Sequence, residues 1–101
     1  MEKSQNTALL YSLQDYIGAF RILDALPYSA ICPEHVKPFV DTENYLLSTI
    51  ELAKQEYQSS QAKSLYGLYV GAESAIKAAN ETLKAEGKDR KVEMYANFFD
   101  K

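Results

Sequence analysis

Only one stretch of this chain gathers side chains able to attack a bond, move a proton or hold a metal: Cys32-Pro33-Glu34-His35. A thiol and an imidazole within hydrogen-bond reach make a nucleophile and its base, usually with a third group that orients the imidazole. The same pair could supply half of a zinc site, which takes four ligands, or three and a water. The chain has one cysteine and one histidine, so carboxylates would have to complete such a site. Three-residue spacing around a proline does not by itself bring the two together. The simpler reading, a buried cysteine and a surface histidine in a proline-rich connection, is preferred. A di-metal bundle needs Glu-x-x-His on two helices, and Cys32 occupies the position that glutamate would need before His35. Phosphate loops, nucleotide fingerprints, metalloprotease motifs and nucleophile elbows are absent. No catalytic residue, metal or cofactor is expected.

Tyrosine is the second unusual feature, with eight in the chain and no tryptophan. Its apolar ring and polar tip suit half-buried positions and protein interfaces. Tyr16, Tyr57 and Tyr69 fall on apolar helical stripes and are read as core. Tyr11, Tyr45 and Tyr66 fall off them; the simplest reading is rim packing in a small bundle, followed by a recognition surface and then by stacking a nucleotide in a pocket between helices.

The elements that must position these residues are helices. Leu9, Leu13, Tyr16, Phe20 and Leu23 recur every three or four residues, with Leu10 and Ile17 widening the same inward face, the period of an amphipathic helix. The spacing predicts a helix over about 4–26, capped by Ser4 or Asn6. Pro27 stops it, because a proline pushes the preceding residue out of helical geometry. Residues 27–37 are too apolar for a free linker and should lie on the bundle end; one turn starting at Pro33 fits them.

A second helix is expected over about 38–58, with Phe39, Leu46, Leu47, Ile50, Ala53 and Tyr57 inward and Glu43 at the rim. Gln58-Ser59-Ser60-Gln61 shifts the phase of the stripe, so a break is preferred there over one continuous rod. A third helix over about 60–86 carries Leu65, Leu68, Tyr69, Ala72, Ile76, Ala79 and Leu83. Gly87 suits its left-handed end. A second face of small residues, Gly67 and Gly71 among them, suggests that another backbone comes close, because glycine inside a helix costs about 1 kcal/mol relative to alanine. That face makes the third helix the expected central one. A short fourth helix over about 89–100 turns Val92, Tyr95, Ala96 and Phe99 one way, with Met94 and Phe98 as extra apolar surface. The fold class is all-α, a small antiparallel up-down bundle in one domain over 1–101.

Composition narrows the function. Hydrophobic residues are 47% and charged residues 25%, as in an ordinary globular protein. The net charge is −3, and the residues up to Tyr57 hold 4 basic and 8 acidic side chains. Nucleic-acid binding is disfavoured, since it requires a basic face; the one basic cluster, Lys84, Lys88, Arg90 and Lys91, is diluted by Glu86 and Asp89. No apolar run approaches the roughly 20 residues of a membrane span. With no signal-peptide pattern at the start, the cytoplasm is the expected compartment.

These features lead to a non-enzymatic protein–protein interaction module: a regulator, inhibitor, immunity factor or adaptor. Its candidate contacts are Tyr11, Tyr45, Tyr66, Gly67, Gly71, Met94 and Phe98. The expected partner is a protein, with a homodimer possible because the tail carries much apolar surface. The alternative is a small-molecule or nucleotide binder with tyrosines lining a pocket. An enzyme built on Cys32 and His35 comes third.

Overall fold

A computed structural model describes the backbone over residues 2–59 and 63–99, and side chains over 9–52, 55 and 67–99. The fold is all-α, with four helices: α1 (Glu2–Ala25), α2 (Pro33–Ser59), α3 (Lys63–Ala85) and α4 (Asp89–Phe99). A 3-10 turn, Tyr28–Ala30, lies between α1 and α2. There is no strand among the described residues. No described helix is long and apolar enough to cross a membrane.

The apolar stripes form the core. Leu9, Tyr16 and Leu23 of α1 are buried, as are Tyr69, Ala72, Ile76, Ala79 and Leu83 of α3. Two inward assignments fail: Leu10 and Leu47 are exposed, because burial narrows to the centre of each stripe. The connection lies on the bundle, as its composition predicts, through buried Ile31.

The second helix starts earlier than the expected 38. Pro33 opens it, and Pro38 lies inside it. The N–H groups of His35 and Val36 both bond the Cys32 carbonyl, at 3.0 and 3.3 Å. Pro38 removes one helical bond, to the Glu34 carbonyl, on a side where both residues are exposed. The lost bond is outweighed by continuing the helix, which buries Val36 together with Phe39 and Val40. The first helix starts at Glu2, ahead of both expected caps, so Ser4 and Asn6 lie within it.

α2 ends at Ser59 and α3 begins at Lys63. The two pack against each other, so they are two helices and not one rod. Of the expected break at 58–61, Gln58 and Ser59 still belong to α2, and residues 60 and 61 lie outside the described residues. α2 is the central helix rather than α3. Both touch all three other helices, but α2 has the more extensive contact with α1 and with α4, and Val36 and Val40 widen its apolar face.

One polar cluster runs from the core to the surface. The Tyr16 ring stacks on Phe39 at 4.8 Å between centroids, and its hydroxyl donates to Glu43 at 3.3 Å. The Asn80 amide donates to the same Glu43 oxygen at 3.0 Å. Burial, then the Glu43 carboxylate, raises the Tyr16 phenol far above its ordinary value.

The end of α3 is fastened more elaborately. Gly87 takes a φ of 76°, the left-handed geometry that glycine adopts without strain. The Gly87 N–H bonds the Lys84 carbonyl at 3.1 Å and the Lys88 N–H bonds the Leu83 carbonyl at 2.9 Å, a Schellman motif. This turn aims the Lys88 side chain at α1. Its ammonium donates to the carbonyls of Leu23 at 3.1 Å and Asp24 at 2.7 Å. It also pairs with Glu86 at 2.7 Å. A buried lysine thus satisfies carbonyls that the end of α1 would otherwise leave open. The bond from Lys88 holds Glu86 below the usual carboxylate range. A hydrogen bond with Glu86 pushes the Asp24 carboxyl up.

Candidate functional site

The structure brings Cys32 and His35 together. The sulfur lies 3.2 Å from His35 Nδ1, and the Cys32 backbone N–H donates to the same nitrogen at 3.4 Å. The cause is local: Cys32 precedes the first turn of α2 and His35 reaches back to it, as the third-position residue of a capping box does. Both side chains are half-buried, which corrects the expectation of a buried cysteine and a surface histidine. Among the described residues nothing bonds His35 Nε2, and no three His, Cys, Asp or Glu side chains gather to hold a metal ion.

Two open depressions of about 450 Å³ mark the surface. One lies between α2, α3 and α4, floored by Val40, Leu83, Val92 and Ala96 and rimmed by Glu43, Asp89, Glu93 and Lys84. No tyrosine lines it. A smaller crevice between α1 and α3 includes Tyr16, whose ring is already stacked on Phe39. The expected tyrosine-lined pocket is therefore not formed by these cavities.

The other depression is a groove between α1 and α2. Gln14, Asp15, Gly18, Ala19 and Ile22 form one wall; Glu34, His35, Pro38 and Thr42 form the other. Gly18 leaves its floor open, since a Cβ there would meet nothing within 4 Å. The short connection puts Ile22 level with Glu34. Stepping back along α1 while stepping forward along α2 reaches Tyr16 beside Phe39 and Glu43. Tyr11 and Tyr45 lie further along the two helices, outside the lining of the groove. Tyr11 continues the row Asp15, Gly18, Ile22, and Tyr45 continues the row Glu34, Pro38, Thr42, at the spacing of one helix face. Both tyrosines are exposed, at 64% and 46%.

The other expected contacts do not join this face. Met94 and Phe98 are exposed at 54% and 67% on α4. Phe98 meets the neighbouring Phe99 edge to face. Val92, Tyr95, Ala96 and Phe99 pack α4 on its own bundle. Gly67 and Gly71 are exposed, and a Cβ at either would meet nothing within 4 Å. The close backbone approach expected there does not occur among the described residues. The small residues that do face another helix are Ala75, Ala78 and Ala79, in the crevice against α1. The Tyr66 side chain lies outside the described residues.

Two of the four clustered cations are used internally. Lys88 caps α1, and Lys91 donates to the Tyr28 carbonyl at 3.1 Å. The Lys91 ammonium also lies 5.1 and 6.0 Å from the ring centres of Tyr28 and Tyr95.

Sequence reasoning missed Asp15, Gly18, Ile22, Glu34 and Pro38 as site residues. Their signal was present: both rows repeat every three or four positions, away from the core stripes. Comparison with known protein families, curated proteins and solved structures finds no match to this chain.

Proposed function

We propose that this protein is a non-enzymatic interaction module whose docking face is the α1–α2 groove. One observation carries the reading: an open groove between α1 and α2 whose two wall rows, extended one helical turn, reach the exposed tyrosines Tyr11 and Tyr45. Tyrosine offers large contact area with few rotamers to freeze, and a groove of this shape receives an apolar helix face. The reading makes the chain a regulator, inhibitor or adaptor of another protein. It places the chain in the cytoplasm, where a single thiol stays reduced.

A photo-cross-linking side chain placed at Tyr11 or Tyr45 in the native host tests it. The expected product is one hetero-adduct that disappears when Gly18→Trp fills the floor. Equal adducts from the exposed Lys77 on α3 would overturn the docking face. A product of twice the chain's own mass would replace the heterologous partner with a homodimer.

The 3.2 Å contact between Cys32 and His35 favours a second reading, a thiol nucleophile with the imidazole as its base. Iodoacetamide alkylation of native protein at neutral pH tests this reading. A rate at least tenfold above that of the urea-unfolded chain, and lost in His35→Gln, supports it. Equal rates remove it.

A further inference from the structure

We infer that the occupant of the α1–α2 groove is a basic amphipathic helix of a partner protein, an inference that rests on the groove being the docking face. Asp15 stands on the α1 wall and Glu34 on the α2 wall, both exposed, and no lysine or arginine lines the groove. Glu34 is level with Ile22, so the two carboxylates are offset along the groove by seven residues of α1. At 1.5 Å per residue that is about 10 Å. Cations two turns apart on a docked helix have the same spacing.

Between the carboxylates the walls present Gly18, Ala19 and Pro38, which accept aliphatic side chains but offer them no polar partner. From Ile22 to Tyr11 the face is about 16 Å long, room for three turns of a partner helix. Beyond the lining residues, the rows of both walls lead to the exposed rings of Tyr11 and Tyr45. A guanidinium can rest on such rings through cation–π attraction. The chain already uses this arrangement elsewhere, where Lys91 lies over Tyr28 and Tyr95.

Phosphate-bearing partners fit worse. The same carboxylates repel a nucleic acid or an anionic membrane, and the residues up to Tyr57 have 8 acidic side chains against 4 basic ones. A basic protein segment gains from the field that repels the others.

The test uses the full chain and two fluorescein-labelled helical peptides of about 15 residues. One carries a leucine stripe flanked by arginines; in the other every arginine is glutamate. Fluorescence anisotropy should show binding of the arginine peptide that weakens as salt rises. Asp15→Lys/Glu34→Lys should weaken it at least tenfold. Glu81→Lys, on exposed α3, should change it less than twofold. The glutamate peptide should bind at least tenfold more weakly. Circular dichroism of each variant confirms that it is folded.

Equal binding of both peptides, abolished by Gly18→Trp, would overturn the basic partner and leave the groove standing. Binding of the arginine peptide unchanged by Gly18→Trp would overturn the groove itself. No binding of either peptide at millimolar concentration would overturn the basic-helix occupant.

Discussion

The closed end of the bundle and the α1–α2 groove use similar residue types for opposite purposes. At the closed end, Lys88 donates to two carbonyls of α1 and pairs with Glu86, and Lys91 reaches Tyr28. Cations that look like surface decoration in the sequence are spent on joining helices. Along the groove and the helix rows that continue it, Ile22, Tyr11 and Tyr45 are exposed, while Asp15 and Glu34 face no cation among the lining residues. The difference teaches that polarity alone does not separate structural from recognition residues in a bundle this small. What separates them is whether the chain itself supplies the partner.

The contrast can be broken first at Lys88. Lys88→Met keeps the bulk but leaves the Leu23 and Asp24 carbonyls without their donor. Each buried acceptor left open costs about 1–3 kcal/mol, so a loss of about 3 kcal/mol is expected in urea denaturation. A loss below about 0.5 kcal/mol would mean that the lysine is not structural.

Tyr16 sharpens the contrast among tyrosines. Removing its hydroxyl with Tyr16→Phe should cost about 1 kcal/mol at neutral pH. Its folded phenol is raised above the ordinary value, so its proton is retained where the unfolded chain loses it. That contribution is complete below about pH 10 and fades as pH rises further. Tyr16→Phe should therefore lose less stability than the parent chain between about pH 9 and pH 11. Parallel pH curves would remove the role given to the Tyr16–Glu43 bond.

Gly67 and Gly71 should change stability in the opposite direction. With nothing near either position, Gly67→Ala and Gly71→Ala should each stabilise by up to about 1 kcal/mol through helix propensity. Thermal unfolding measures this. A destabilisation at either site would restore the close approach that the structure does not show.

Much of the fold could be read from the chain because burial follows the helical period. Leu9, Tyr16 and Leu23, and Ala72, Ile76, Ala79 and Leu83, lie inward as their spacing requires. Gly87 could be read because so few residues adopt its φ. The start of α2 could not: the bias before Pro38 is local, and burial of Val36 and Phe39 overrides it. Lys88 was hidden because its partners are backbone carbonyls 64 and 65 residues away, which have no sequence signature. The groove was half visible. Tyr11 and Tyr45 stood out as residues off the core stripes, but placing them opposite each other needs the register between α1 and α2. Gly67 and Gly71 misled because a small-residue row permits a close approach without causing one.

The smallest expected effect tests the central claim most directly, that the groove tyrosines are there for recognition and not for folding. In Tyr11→Ser/Tyr45→Ser, the unfolding free energy from urea denaturation should stay within about 0.5 kcal/mol of the parent chain, as for surface residues outside the core. A loss of about 2 kcal/mol or more would show the two rings holding the bundle together and would contradict the account.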